Sequence, residues 1–260
     1  MKLKTLVIFI VLFSFCSITN AQEAPNKIDA SGKKQGAWIK LDKNKKKLYE
    51  GTFVNDMPVG KFVYYYDNGI IYSIVNWSNN GKVGRTQLFD GGGKLVAQGK
   101  YVNEKKDSVW VFYNQEGKVL SDEVYSMGKK NGVFKVYYAN GQVAEEKSWK
   151  NGLADGPWKK YFESGQLKYS GNCVKDKVEG KVVFYQVDGK VNATGVYKND
   201  LKDGDWKYYK EDGKLQKTDK YINGKLMSSD AKDFIPKEQS DEEKKKFEQF
   251  EMKDPFQDKY

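Results

Sequence analysis

Side chains that could carry acid, base or metal chemistry are scarce in this sequence. The 260 residues include no histidine, which removes the commonest general base and the commonest metal ligand together. A Ser-His-Asp triad is therefore impossible. Neither a G-x-S-x-G elbow nor a G-x-x-x-x-G-K-[ST] phosphate loop occurs. Gly91-Gly92-Gly93 has turn spacing and no helix after it to hold a phosphate. Asp203-Gly204-Asp205 borders a turn, the ordinary place for acids, whereas a calcium loop needs several converging oxygens. Asp241-Glu242 sits in a charged run that reads as solvated surface. The two cysteines are Cys16, in a leader segment, and Cys173, in an aromatic column where packing is its expected role. One cysteine in the mature chain excludes an intramolecular disulfide. No catalytic, cofactor-binding or metal site is expected, and the chain does not read as an enzyme.

Aromatic residues make up 15% of the chain, and their spacing supplies the organisation. Eight copies of a 24-residue unit run from Gly36 to Met227. Their leading residues are Gly36, Gly60, Gly84, Ser108, Gly132, Gly156, Gly180 and Gly204. Counting places from that residue, place nine is glycine in every copy but the first, where Lys45 stands. Place two holds Trp38, Phe62, Trp110, Phe134, Trp158 and Trp206. Place five is aromatic from Tyr65 to Tyr209, and place seventeen is aromatic except at Cys173. All six tryptophans fall in two columns. Such a period marks a repeat array with no single central core.

Each copy reads as a β-hairpin. A strand such as 157–162 leads to a tight turn at Ser164-Gly165, and a second strand runs back to the ring at place seventeen. A looser turn, as over 150–155, leads to the next copy. The fold class expected is all-β: an elongated, single-layer, twisted antiparallel meander without helices in the array. Two registers fit. A two-residue turn sets Trp158 opposite Gly171, with the ring covering bare backbone, and puts place five on the face opposite place two. A three-residue turn with a glycine bulge pairs Tyr161 with Leu167. Under the first register both faces carry aromatics. Cohesion would then come from cross-strand ladders, at roughly 0.2–1 kcal/mol per pair.

The flanks differ from the array. Residues 1–21 have two early lysines, an apolar run from Leu6 to Phe15, and small residues Thr19 and Ala21 before Gln22. This is the pattern of a secretory signal peptide, too short to span a bilayer. Phe15 stands where a lipoprotein signal would carry a small residue before Cys16. The mature chain is thus expected outside the cytoplasm, in the periplasm, the cell envelope or the medium, with no transmembrane span. Residues 22–35 are a polar lead-in, and the Lys43–Lys47 run reads as a terminal cap. Residues 228–260 form a charged tail, either disordered or with a short helix near 241–252 that Ser240 and Glu243 would cap. The formal charge is +10, which favours solubility and, secondarily, an anionic partner.

The motif G-x-W-x-x-Y-x-x-x-G-x-L followed by Y-x-N-G-x-x-x-G runs through Gly156, Trp158, Tyr161, Gly165 and Leu167. It recurs through Gly204, Trp206, Tyr209, Gly213, Leu215, Tyr221, Asn223 and Gly224. It resembles the bacterial variant of the MORN repeat, found in proteins of the YwqK antitoxin family, over nearly the whole mature chain. The resemblance implies a β-hairpin repeat fold and a non-catalytic interaction role, with neutralisation of a toxin by binding as the family's version of it. The partner expected is a protein, a toxin in that version. The alternative is an anionic lipid or glycan held by the basic, aromatic-rich sheet. Nucleic acid is not expected, because the chain is exported. The residues that meet the partner are not marked in the sequence.

Overall fold

The computed structural model describes residues 24–230. The leader at 1–21 and the helix considered near 241–252 lie outside the described residues. Within them every regular element is a strand. The first eleven are β1 (Lys27–Ile28), β2 (Lys34–Leu41), β3 (Lys47–Val54), β4 (Met57–Tyr65), β5 (Ile71–Ser78), β6 (Val83–Phe89), β7 (Leu95–Val102), β8 (Lys105–Tyr113), β9 (Val119–Ser126), β10 (Lys129–Lys130) and β11 (Gly132–Tyr137). Then come β12 (Val143–Lys150), β13 (Leu153–Tyr161), β14 (Leu167–Val174), β15 (Lys177–Val178), β16 (Gly180–Tyr185), β17 (Val191–Lys198), β18 (Leu201–Tyr209), β19 (Leu215–Ile222) and β20 (Lys225–Ser229). They form an open antiparallel hairpin meander of twenty strands. Sixteen were expected from eight hairpins. The excess is β1 and β20 at the ends, and two first strands that break into β10–β11 and β15–β16. The pattern also persists as strand to Ser229, slightly past Met227.

The described residues divide into two compact units at β12. One ends at Gln142 but includes Trp149–Gly152; the other is Val143–Ser148 with the chain from Leu153 onward. In each, strands pack chiefly against their ladder neighbours, as a repeat array does.

The register combines both possibilities the sequence left open. Gly156 pairs with Cys173, Trp158 with Gly171 and Lys160 with Tyr169; a bulge follows, and Tyr161 pairs with Leu167. The turn itself is the three-residue kind. Phe162 N–H donates to the Gln166 carbonyl at 2.8 Å, and Gly165 takes φ +90°, the left-handed conformation such a turn needs at its last residue. In the first copy Lys45 takes that conformation with φ +64°.

The connections between copies are the tighter ones, contrary to the looser turn expected. Val54 pairs with Met57 across Asn55-Asp56, whose φ values are +52° and +67°. Lys175-Asp176 and Asn199-Asp200 repeat this. Two left-handed residues make the two-residue turn whose twist matches a hairpin. Each such turn is also tied to the copy's own start. Asp200 N–H donates to the Val178 carbonyl at 3.0 Å, and Val178 N–H donates back to Asp200 Oδ1 at 2.6 Å. Asp176 and Ala154 repeat the exchange at 2.9 and 2.7 Å. The neighbouring turn residue donates to the side chain just before the leading glycine, as Asn199 does to Glu179 and Asn223 to Asp203.

The leading glycine of most copies occupies a bulge with positive φ, +65° at Gly60 for example. Ser108 holds the same conformation at φ +61°, which costs an L-residue roughly 1–2 kcal/mol relative to glycine.

Candidate functional site

The two faces of the sheet use their rings differently. One face is the core. Trp110 and Trp206 are 0% and 1% exposed, burial that a single-layer sheet was not expected to reach. Three features produce it. The ring lies flat on a glycine of the preceding copy: a Cβ at Gly195 would sit 2.3 Å from Trp206, and one at Gly99 would sit 2.2 Å from Trp110. The expectation placed the covering ring in the glycine's own hairpin; it comes from the next one. The ring at place seventeen meets it edge-on, Tyr197 at 5.0 Å and Tyr101 at 4.9 Å. Finally, a lysine two residues before the copy's leading residue lays its ammonium over the ring. Lys202 stands 4.4 Å from Trp206, Lys106 4.9 Å from Trp110, and Lys130 4.5 Å from Trp149. The Trp206 indole N–H donates to the Val196 carbonyl and that of Trp110 to the Lys100 carbonyl, both at 3.1 Å.

The last copy ends this pattern. Asp219 stands in the glycine's column and is 1% exposed beside Lys217, 2.7 Å away. Ser229 Oγ donates to Asp219 Oδ1. Burial lowers the Lys202 pKa and, with a hydrogen bond to Tyr221, raises that of Tyr208. Among the described residues no further ring follows, and this cluster closes the core there.

The opposite face carries place five, as its alternation with place two requires. Here the tyrosine hydroxyl bonds a side chain fifteen residues earlier, on the adjacent strand. Tyr65 donates to Glu50 at 2.5 Å, Tyr137 to Asp122 at 2.7 Å and Tyr161 to Glu146 at 2.9 Å. Tyr113 accepts from Gln98 Nε2 at 2.6 Å. Lys47 and then Tyr65 lower the Glu50 pKa, while burial and then Glu50 push Tyr65 up to about 12. These tyrosines are half-buried; the same-face residue two places before each runs from buried at Val63 through half-buried at Val111 and Lys135 to exposed at Lys159.

Residues singled out in the sequence fall as follows. Cys173 is buried, and burial raises its thiol pKa. Asp203 accepts a turn N–H and Asp205 lies opposite Lys220, so the two do not converge. Among the described residues no three of His, Cys, Asp and Glu gather as a metal would require. In the Gly91-Gly92-Gly93 turn, Asp90 Oδ1 accepts from the Gly92 and Lys94 N–H groups at 2.9 Å, which lowers its pKa. In the Lys43–Lys47 run, Lys47 pairs with Glu50 at 2.7 Å. The lysine over the rings was missed. It recurs before Gly36, Ser108, Gly132 and Gly204, and that column was the available signal.

The family model described as MORN repeat variant matches residues 58–79, 130–151, 154–173 and 202–223. The matched residues fall on four of the eight copies, and over them the chain is similar to that family. Each MORN match opens two residues before a leading glycine, so its first residue is the column that holds Lys130 and Lys202. No curated protein matches the chain. Two solved structures of TarM, one titled as the S. aureus protein in complex with Fondaparinux, alpha-GlcNAc-glycerol and UDP, align at 17% identity and a TM-score of 0.28. The alignment covers 36% of this chain and 20% of theirs. A likeness of that size carries no argument about the repeat array. No helix among the described residues is long and apolar enough to cross a membrane.

Proposed function

We propose that this MORN-variant array is a non-catalytic module that works outside the cytoplasm by binding another protein. The observation that carries the reading is the unequal use of the faces. Trp110 and Trp206 are consumed by the core, while tyrosine stands at place five in six of the eight copies, half-buried on the opposite face. Tyrosine supplies rigid, amphipathic contact area and is enriched at protein interfaces. The leader pattern at 1–21 supports export. The resemblance to YwqK-type proteins supports a toxin as the particular protein bound. Crosslinking with mass spectrometry on the native cell envelope tests this. The expected result is one protein crosslinked to lysines flanking the tyrosine column. Retention of the chain in the cytoplasm, or crosslinks to no protein, would count against it.

An anionic lipid or glycan surface is the second reading, favoured by exposed Lys159, Lys181 and Lys207 on that face. It predicts retention on anionic liposomes that weakens strongly with salt. Salt-independent retention would reject it.

A further inference from the structure

The tyrosine ladder is incomplete in the second unit. Tyr161 reaches Glu146, but the equivalent places for Tyr185 and Tyr209 hold Ser170 and Thr194, whose side chains are too short. Among the described residues neither Tyr185 nor Tyr209 has a hydrogen-bond partner for its hydroxyl. Thr194 turns its own hydroxyl to the Val182 carbonyl at 3.0 Å. The positive charge on this face is not withdrawn with the acids. Ladder pairings run from Lys159 to Ser170, Val183, Thr194 and Lys207 in one continuous row. Lys159 and Lys207 are exposed, without an ion pair among the described residues, and so is Lys181 two residues before Val183. No acid stands on this face between Glu146 and Asp205 at the places that border the row.

Resting on the protein-binding reading above, we propose that this face of the second unit docks an acidic polypeptide segment. The partner's carboxylates supply to Tyr185 and Tyr209 the acceptors that Glu146 supplies to Tyr161, with Lys159, Lys181 and Lys207 neutralising them. Successive copies present this pair of groups every ~9.6 Å, two strand spacings. That step suits carboxylates spaced a few residues apart on an extended chain. A hydrogen bond to an ionised acceptor is stronger than one to a neutral group, which makes the tyrosines selective as well as adhesive.

Poly-L-glutamate is the probe, titrated against the full chain at low salt by fluorescence anisotropy. Tyr185→Phe with Tyr209→Phe is expected to weaken binding at least about tenfold, the loss of two hydrogen bonds to ionised acceptors. Tyr65→Phe with Tyr137→Phe should leave it unchanged. Lys159→Glu with Lys207→Glu should abolish it while leaving the melting curve in place. The proposal is overturned if the Tyr185/Tyr209 pair changes nothing. It is equally overturned if dextran sulfate or anionic vesicles bind as tightly as poly-L-glutamate with no dependence on those tyrosines. A protein captured on the envelope that poly-L-glutamate fails to displace would leave the protein-binding reading standing and remove this surface. Tyrosine-dependent poly-L-glutamate binding with no protein captured would do the reverse.

Discussion

Trp206 and Tyr161 stand in the same unit and obey the same 24-residue rhythm, yet they meet opposite environments. Trp206 lies on bare glycine backbone beneath a lysine ammonium and is 1% exposed. Tyr161 stays half in water and spends its hydroxyl on a carboxylate. The first arrangement gains from removing apolar area from water, at about 25 cal/mol per Å². The second gains only the net value of an exposed hydrogen bond. A sheet one layer thick therefore has a load-carrying side and an adaptable side. The adaptable side is where a partner can be recognised without disturbing the fold.

Urea denaturation of single variants measures the gap. Trp206→Ala should cost about 3–5 kcal/mol, since it empties a closed packing site. Gly195→Ala should cost about 1–3 kcal/mol or more, because the new Cβ meets the Trp206 ring. Lys147→Ala, in the same column of an earlier copy, should cost much less: Lys147 lies beside a half-buried Trp158, 4.3 Å away. Equal losses at the two positions would mean that the glycine is no floor. Ser108→Gly touches neither face's packing and should gain roughly 1–2 kcal/mol by relieving its positive φ. Tyr161→Phe should cost only about 0.5–1.5 kcal/mol; a loss rivalling that of Trp206→Ala would erase the distinction between faces.

The smallest effect is in pH. Tyr65 is raised from 10.0 to about 12, so its contribution is full below pH 10 and is lost as pH climbs through 12. Glu50 is lowered from 4.5, so its contribution is full above pH 4.5 and is lost as pH falls through its folded value. Tyr65→Phe should blunt the alkaline loss seen in thermal melts. An unchanged alkaline limb would refute the assignment.

The hairpin in each copy, the two faces and the buried Cys173 were legible because glycines and rings are spaced by a rule that local geometry imposes; the breaks that split two first strands were not. The register was half legible. Both pairings read from the sequence exist, and the bulge before Tyr161 that joins them has no residue signature. The turns were read the wrong way round because Asn-Gly and Asp-Gly mark hairpins strongly. The Lys175-Asp176 turn reaches the same left-handed conformation without glycine, held by the hydrogen bonds of Asp176 to Ala154. The lysines over the rings were hidden in an overall basic composition, where a solvated role is the common one. For the candidate surface the tyrosine column was visible, but its gap at Tyr185 and Tyr209 needed the fifteen-residue pairing with the adjacent strand.

The ties between each inter-copy turn and the start of its own copy have a direction. Asp200 reaches back to Val178, and Asp176 back to Ala154. Each of these ties closes a hairpin on chain already laid down before it, while the ring that covers Gly195 arrives with the next copy. A chain made N-terminus first can therefore close each backbone link as it appears and seal that link's packing one copy later, without holding a long unfolded stretch in reserve.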